Sequence, residues 1–305
     1  MMHRSDTRTL RFALAGNAVF SLISASVLVS LPGLVGGWLG GWPSWVLVAI
    51  GAGLGVFAAD LLHQATRRRV ATWRALYASL ADFAWVAGTV VLLLVPGVFS
   101  PGGAILALGV AAAVLGFGAL QLIGIGRAHR VRSGVYRHCI LVGVDAPAAA
   151  MWGVIGRIGD IHRYAPMLQD SCVLDDREPG PGAVRSCTDR AGRHWSEECT
   201  EFREGEGFTV RFLTDEPGFP FPARSMHGGW EVRPAGNGST VQVWWELEPS
   251  SKLPAPVLMP MLGLKADLDF PKVIRRMAEA ASPEGQSSWS ARERGLRGRL
   301  LPRLC

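Results

Sequence analysis

Residues 228–249 read Gly-Gly-Trp-Glu-Val-Arg-Pro-Ala-Gly-Asn-Gly-Ser-Thr-Val-Gln-Val-Trp-Trp-Glu-Leu-Glu-Pro. Two runs rich in β-branched and aromatic residues flank Gly236-Asn237-Gly238. Glycine and asparagine tolerate the backbone angles of a tight reversal. The segment therefore predicts two antiparallel strands, Arg224–Arg233 and Ser239–Glu248, joined by a turn. Alternation along a strand places Trp230 on one face with Gly228 and Val232, and sends Trp244 and Trp245 to opposite faces.

The same pattern extends upstream. Ser171–Asp175, Ala183–Arg190, His194–Phe202 and Gly207–Leu213 are strand-like runs. They are separated by Pro179-Gly180-Pro181-Gly182, Ala191-Gly192, Glu204-Gly205 and the Pro217–Pro222 loop. Breaks this short join neighbouring strands as hairpins, so the sheet is largely antiparallel. Ahead of these strands, Cys139–Val144 is a further β run. Asp145 is placed to cap a helix with Pro147 in its first turn. Met151, Trp152, Ile155 and Ile158 then recur at helical spacing up to Gly159, and Asp160–Pro166 makes a second short helix or turn. Downstream, Pro256–Ala281 has a helical pattern interrupted by Pro260 and Pro271. Pro271 lacks a backbone donor and biases Phe270 away from helical geometry, which predicts a kink or break there. Val257–Leu264, almost wholly apolar, would close a cavity or lean on a bilayer.

Further upstream the chemistry changes. Of 305 residues, 49 % are hydrophobic and only 18 % charged, which directs attention to membrane spans. Phe12–Leu31, Trp45–Leu62, Leu76–Val95 and Ile105–Ile125 are each about twenty residues, the length that crosses a hydrocarbon core. In lipid such segments must satisfy their own backbone groups, so they are helices. Arg4, Arg8 and Arg11 before the first span suit a signal peptide too, but its apolar run exceeds a typical signal core and three more spans follow.

Gly36–Ser44 and Pro96–Gly103 carry no charge. Arg67, Arg68, Arg69 and Arg74 lie between the second and third spans, and Arg127, Arg130, Arg132 and Arg137 follow the fourth. The positive-inside rule places both termini and the middle loop in the cytoplasm, which corresponds to a multi-pass protein of the cell's inner (cytoplasmic) membrane. Trp38, Trp42 and Trp45 suit an aromatic belt at the outer face. Asn17, Asp60, Asp82 and Gln121 come one from each span and share a depth near the cytosolic ends. They read either as one polar layer facing the bundle interior or, for Asp60 and Asp82, as partners of the nearby arginines.

The order strand, two short helices, six strands and long helix resembles the helix-grip fold of the SRPBCC superfamily, and within it the polyketide cyclase/dehydrase-like group. The matching residues are Asp145-Ala146-Pro147 with Trp152, Tyr164-Ala165-Pro166, Gly180-Pro181-Gly182 and Trp195-Ser196-Glu197. Gly229-Trp230-Glu231-Val232 with Pro234, and Gly238 to Trp244, complete the set. The expected organisation is a four-helix transmembrane bundle over residues 1–132, an α+β helix-grip domain over 136–282 and a basic tail over 283–305. The resemblance implies a curved antiparallel sheet wrapped around the long last helix, with a ligand cavity between them.

Alternation groups Phe208, Val210 and Phe212 on one strand face, and Trp195, Glu197 and Cys199 on another, without saying which face is concave. The cavity candidates are Trp152, Tyr164, Trp195, Glu197, Phe212, Trp230 and Trp244. For each of the aromatic ones, plain core packing is the competing reading. His162, Tyr164, His194, Glu197, Glu198 and His227 are the titratable candidates for acid–base work. None has a spacing that demands catalysis, and His194 and Glu198, about 13 Å apart along a strand, cannot touch. HExxH, GxSxG, phosphate-loop and dinucleotide fingerprints are absent from the sequence. A hydrophobic small molecule or lipid is therefore the expected partner, with no cofactor, no metal and no nucleic acid. The net charge of +6 is spread in clusters beside apolar runs, as anionic head groups would require. Five widely spaced cysteines without a CxxC read as free thiols in a reducing compartment. The function expected is binding or transfer of a hydrophobic ligand, or polyketide cyclase/dehydrase-like chemistry in the same cavity.

The tail beyond Ser288 interleaves arginines with Trp289, Leu296, Leu300 and Leu304. It suits a helix lying in an anionic membrane surface, or a disordered basic tail. The arginine asymmetry gives a direct test. Reporter fusions after Leu10 and after Cys305 are expected to read as cytoplasmic, and labelling of either terminus from outside intact cells would overturn that topology.

Overall fold

The structure, a computed structural model, describes residues 6–281 and the backbone of residues 299–300. The chain divides into two compact units between Ala128 and His129.

The first unit is all helical: α1 (Arg8–Ser30), α2 (Pro32–Leu39), α3 (Ser44–Thr66), α4 (Thr72–Leu93) and α5 (Pro101–His129). All but α2 are long and apolar enough to cross a membrane. The short α2 starts at Pro32, whose fixed backbone angle and missing donor suit a first helical position. Phe12, Ile23, Val56 and Ile105 are exposed on the bundle, as expected if the surrounding solvent is hydrocarbon.

Inside the bundle, Asn17 Nδ2 donates to Asp82 Oδ2 at 2.8 Å and Gln121 Nε2 donates to the same oxygen at 3.1 Å. Ser21 donates to Asn17 Oδ1 and Ser79 to Gln121 Oε1. All five residues are buried. Three of the four polar residues thus form one layer. Asp60 does not join it: it pairs with Arg74 and accepts from Gln64 on its own helix, half exposed. The arginine pairing foreseen for both aspartates therefore holds for Asp60 alone. Asp82 is one turn too deep for the arginine loop, so amides satisfy it.

The second unit opens with β1 (Arg130–Arg132) and β2 (Val135–Val144), then α6 (Ala148–Ile155) and a tight turn of helix at Ile158–Arg163. β3 (Leu168–Val173), β4 (Val184–Asp189), β5 (His194–Arg203), β6 (Gly207–Phe212), β7 (Ala223–Ala235) and β8 (Gly238–Pro249) follow, and α7 (Ala255–Ala280) comes after β8. The strands pair antiparallel in the order β1-β2-β8-β7-β6-β5-β4-β3. β7 and β8 form the quoted hairpin, with Val232 opposite Val241 and Gly229 opposite Trp244. Only glycine fits at 229, where a Cβ would lie 2.6 Å from the Trp244 indole.

One face of the sheet carries Ile140, Val142, Phe208, Val210, Trp230, Val241 and Val243, and packs on Met151 and Ile155 of α6 and Met259, Ile274 and Met277 of α7. Some local expectations differ. Asp145 makes no cap: Pro147 is the N-cap of α6, and the helix ends at Gly156 rather than Gly159. α7 is a single helix running through Pro260 and Pro271. The missing donor at Pro271 costs about 3 kcal/mol in an isolated helix. Here Pro271, Val273, Ile274 and Met277 are buried against the sheet, and that burial holds the helix through the proline. Residues 299 and 300 form a two-residue strand, β9, beside Val142 and Gly143, so they are not helical. The rest of the tail reading lies outside the described residues.

Asp82→Ala leaves the Asn17 and Gln121 amides without their acceptor and is expected to destabilise the helical unit by about 1–2 kcal/mol. Asp60→Ala removes a half-exposed pair and is expected to cost at most about 1 kcal/mol. Thermal unfolding in one detergent measures both, and equal losses would contradict the layer.

Candidate functional site

α7 does not fill the concave face of the sheet. A cavity of about 310 Å³ remains between them, at the lower end of the range for small-molecule sites. Trp195, Phe212, Trp230 and Trp245 line it from the strands, Met259, Leu262, Ala266 and Phe270 from α7, and Pro220, Phe221 and Pro222 from the β6–β7 loop. The aromatic rings brace one another edge to face: Trp245 with Phe270 at 4.6 Å between centroids, Phe221 with Trp195 at 5.2 Å and with Phe212 at 6.0 Å. Such contacts make a stiff apolar wall.

Polar groups interrupt that wall, Asp189, Arg193, Lys265 and Asp269 among them, and two pairs are largely removed from water. The first joins neighbouring strands, because the β4–β5 register sets Arg185 opposite Glu197. Their ion pair is about 95 % buried, and burial of this depth decides its chemistry. Arg185 also donates to the Ile158 carbonyl at 2.8 Å, and Trp195 Nε1 donates to the other Glu197 oxygen at 2.7 Å. Burial alone would lower the Arg185 pKa, but Glu197 beside it more than offsets this and holds it above its ordinary value. The neighbouring Cys187 thiol is pushed up to about 12 by burial and by Glu197, so it is an inert part of the wall. Cys172, Cys187 and Cys199 are free thiols. Cys139 is disulfide-bonded, against the expectation of free cysteines throughout.

The second pair crosses from sheet to helix. His138 Nε2 lies 3.0 Å from Asp267 Oδ1, with side chains 8 % and 11 % exposed. His138 is on the cavity wall, opposite Trp245 in the β2–β8 register. Its ring stands 5.8 Å from that of His129.

Of the residues singled out from sequence, Trp195, Glu197, Phe212 and Trp230 line the cavity. Trp152 instead packs on Phe202 and donates to Glu204 at 2.7 Å. Tyr164 packs at the edge of the core, and Trp244 points to the other face, under the Arg137 guanidinium. His162 bonds Ser171 at 3.0 Å, Glu198 pairs with Arg211, and His194 reaches Thr188 at 3.5 Å. Sequence reading missed Arg185, His138 and Asp267. Strand parity carried the signal for two of them: His138 shares a face with Ile140, Val142 and Val144, and Arg185 with Ala183 and Cys187, all buried.

Residues 142–282 match the family described as "Polyketide cyclase / dehydrase and lipid transport". The domain belongs to the SRPBCC superfamily. No curated protein matches the chain. Among solved structures, Ara h 8.0201 aligns at 16 % identity over 47 % of this chain and 97 % of its own, with a TM-score of 0.38. An uncharacterized protein from Bacillus thuringiensis aligns at 16 % identity over 46 % of this chain and 98 % of its own, with a TM-score of 0.39.

The buried ion pair gives the SRPBCC domain a measurable signature. Arg185→Met leaves Glu197 charged and unpaired and is expected to cost about 3–5 kcal/mol. Adding Glu197→Gln removes the orphaned charge but keeps an acceptor for Trp195, and is expected to recover at least about half of that loss. Denaturant unfolding of the single and double variants checks the pair; an equally unstable double variant would contradict it.

Proposed function

We propose that this chain binds or transfers a hydrophobic small molecule or lipid, using the SRPBCC cavity, and that its four long apolar helices anchor it in the inner membrane. The observation that carries the reading is the cavity itself: an aromatic and aliphatic wall around about 310 Å³, too large to be a packing defect and with few polar groups to orient a guest. The family description includes lipid transport, which supports a hydrophobic guest. The membrane helices support delivery from or to a bilayer, with both termini and the SRPBCC domain on the cytosolic side by the arginine asymmetry. In this reading Trp195, Phe212 and Trp230 contact the apolar body of the guest, and Glu197 with Arg185 orients its polar end.

A second reading is polyketide cyclase/dehydrase-like catalysis in the same cavity. The specific observation in its favour is the buried His138–Asp267 pair, since a base held by a carboxylate is the equipment that proton-transfer chemistry needs.

Mass spectrometry of organic extracts from gently purified protein tests the binding reading. A hydrophobic molecule is expected in extracts of the unaltered chain and is expected to be depleted in Ala266→Trp, which fills the cavity. Identical extracts from the two proteins would reject it.

A further inference from the structure

We infer that the exposed face of α7 docks on a bilayer surface rich in anionic phospholipid. This rests on the reading that the four long apolar helices anchor the chain in a membrane, and not on what the cavity holds. Among the described residues of the second unit, the exposed large hydrophobic side chains are Leu174, Leu253, Met261 and Leu268. Three of these four lie on α7 or just before it. The half-buried Val257 and Leu264 join them. At about 100° of turn per residue, Val257, Met261, Leu264 and Leu268 fall within about 60° of one another, as one ridge along the helix. α7 gives the sheet a different side, with Met259, Ile274 and Met277. The ridge is apolar surface that the packing of the domain leaves in the open.

The cations beside the ridge are the second observation. The chain holds only three lysines, Lys252, Lys265 and Lys272, and all three are exposed. Lys265 and Lys272 stand on one flank of the ridge by the same count, and Lys252 lies just before the helix. Lys272 is 3.8 Å from Asp269, while Lys252 and Lys265 make no ion pair among the described residues. Asp267 is turned to His138. Elsewhere the chain takes its basic side chains from arginine.

A lysine has an apolar stem and a compact ammonium with three donors. It can lie along an apolar surface and still reach the variously placed oxygens of lipid phosphates. An apolar ridge flanked by such cations is the pattern of a helix seated in the interface of an anionic bilayer. The ridge gains by leaving water, and the lysines gain by nearness to negative head groups. A second copy of this chain is the poorer occupant, because a symmetric contact through the same face would gather the lysines of both copies. The place of the face gives the docking a use. Met261 and Lys265 also line the cavity, so a bilayer seated on the ridge meets the cavity wall at these two residues. A hydrophobic guest would then reach lipid without crossing open water.

The lysines give this face its own readout, because amine acetylation marks no other side-chain type. The full chain is placed in nanodiscs of phosphatidylcholine alone, or of equal parts phosphatidylcholine and phosphatidylglycerol, acetylated briefly and digested for mass spectrometry. Lys252 and Lys265 are expected to react at least about threefold more slowly in the anionic discs. An anionic surface also slows nearby amines by keeping them protonated, so a variant separates contact from proximity. Met261→Ser with Leu268→Ser removes the ridge at exposed positions, where substitution leaves the fold intact. It is expected to return both lysines to the phosphatidylcholine rate.

Equal rates in the two lipids overturn the inference, whether both are slow, as cover by protein would make them, or both fast, as open water would. Protection that persists in the double variant overturns it too. A chain that fails to enter nanodiscs removes the membrane anchor and this inference with it, while the extract experiment reads the cavity's guest independently.

Discussion

A curved antiparallel sheet has a concave face wider than one helix, and the second unit of this protein is organised around that mismatch. α7 covers part of the face with Met259, Ile274 and Met277, and α6 covers another part with Met151 and Ile155. The space left between α7 and the sheet is the cavity. Interiors normally pack to the density of organic crystals, because every void forfeits dispersion contacts along its walls. A void of this size persists where its lining cannot collapse. Here the aromatic rings of Trp195, Phe212, Phe221, Trp245 and Phe270 brace one another edge to face and hold it open.

The same wall explains why its polar groups are paired. A charge in such surroundings is tolerated only with a partner in contact, and cross-strand register supplies one for Arg185 in Glu197. Helix-on-sheet packing supplies another pair in His138 and Asp267. The helical unit obeys the rule in its own terms. Asp82 is buried among apolar helices and is met by the amides of Asn17 and Gln121, each backed by a serine. In both units these charged groups are met by hydrogen-bond partners, from the neighbouring strand for Arg185 and from elements far along the chain for Asp82 and His138.

Much of the architecture was legible from local rules. The hairpin of β7 and β8 followed from Gly236-Asn237-Gly238 between alternating runs, and the six strands from β3 to β8 lie close to where turn residues and alternation put them. The spans followed from length and hydropathy. Legibility was poorest where a local rule met a tertiary one. Pro271 argued for a kink or break, and the helix is not broken there, because burial of its own helix face outweighs the lost backbone bond. Asp145 had the chemistry of a cap and did not act as one. The candidate site was half legible. Parity grouped Trp195 with Glu197, and Trp230 with Val232, but Trp152 and Tyr164 were drawn in by their place in the family pattern and lie off the cavity wall.

By itself, the sequence determined the kind and order of the main elements, though not the short α2, β1 and β9, together with the antiparallel pairing of the strands and which residues share a strand face. These depend on backbone preferences and on periods of 2.0 and 3.6 residues, which any local window contains. Only the tertiary structure decided which of those faces is concave. That choice sends Trp245 inward and Trp244 outward, turns Arg185 and His138 from residues on a strand into groups on a cavity wall, and brings Asp267 to His138 across 129 positions of chain. A strand's two faces are equivalent until something packs on one of them. The helix that packs here follows β8, far along the chain from β2, so no local stretch of the sequence could carry the answer.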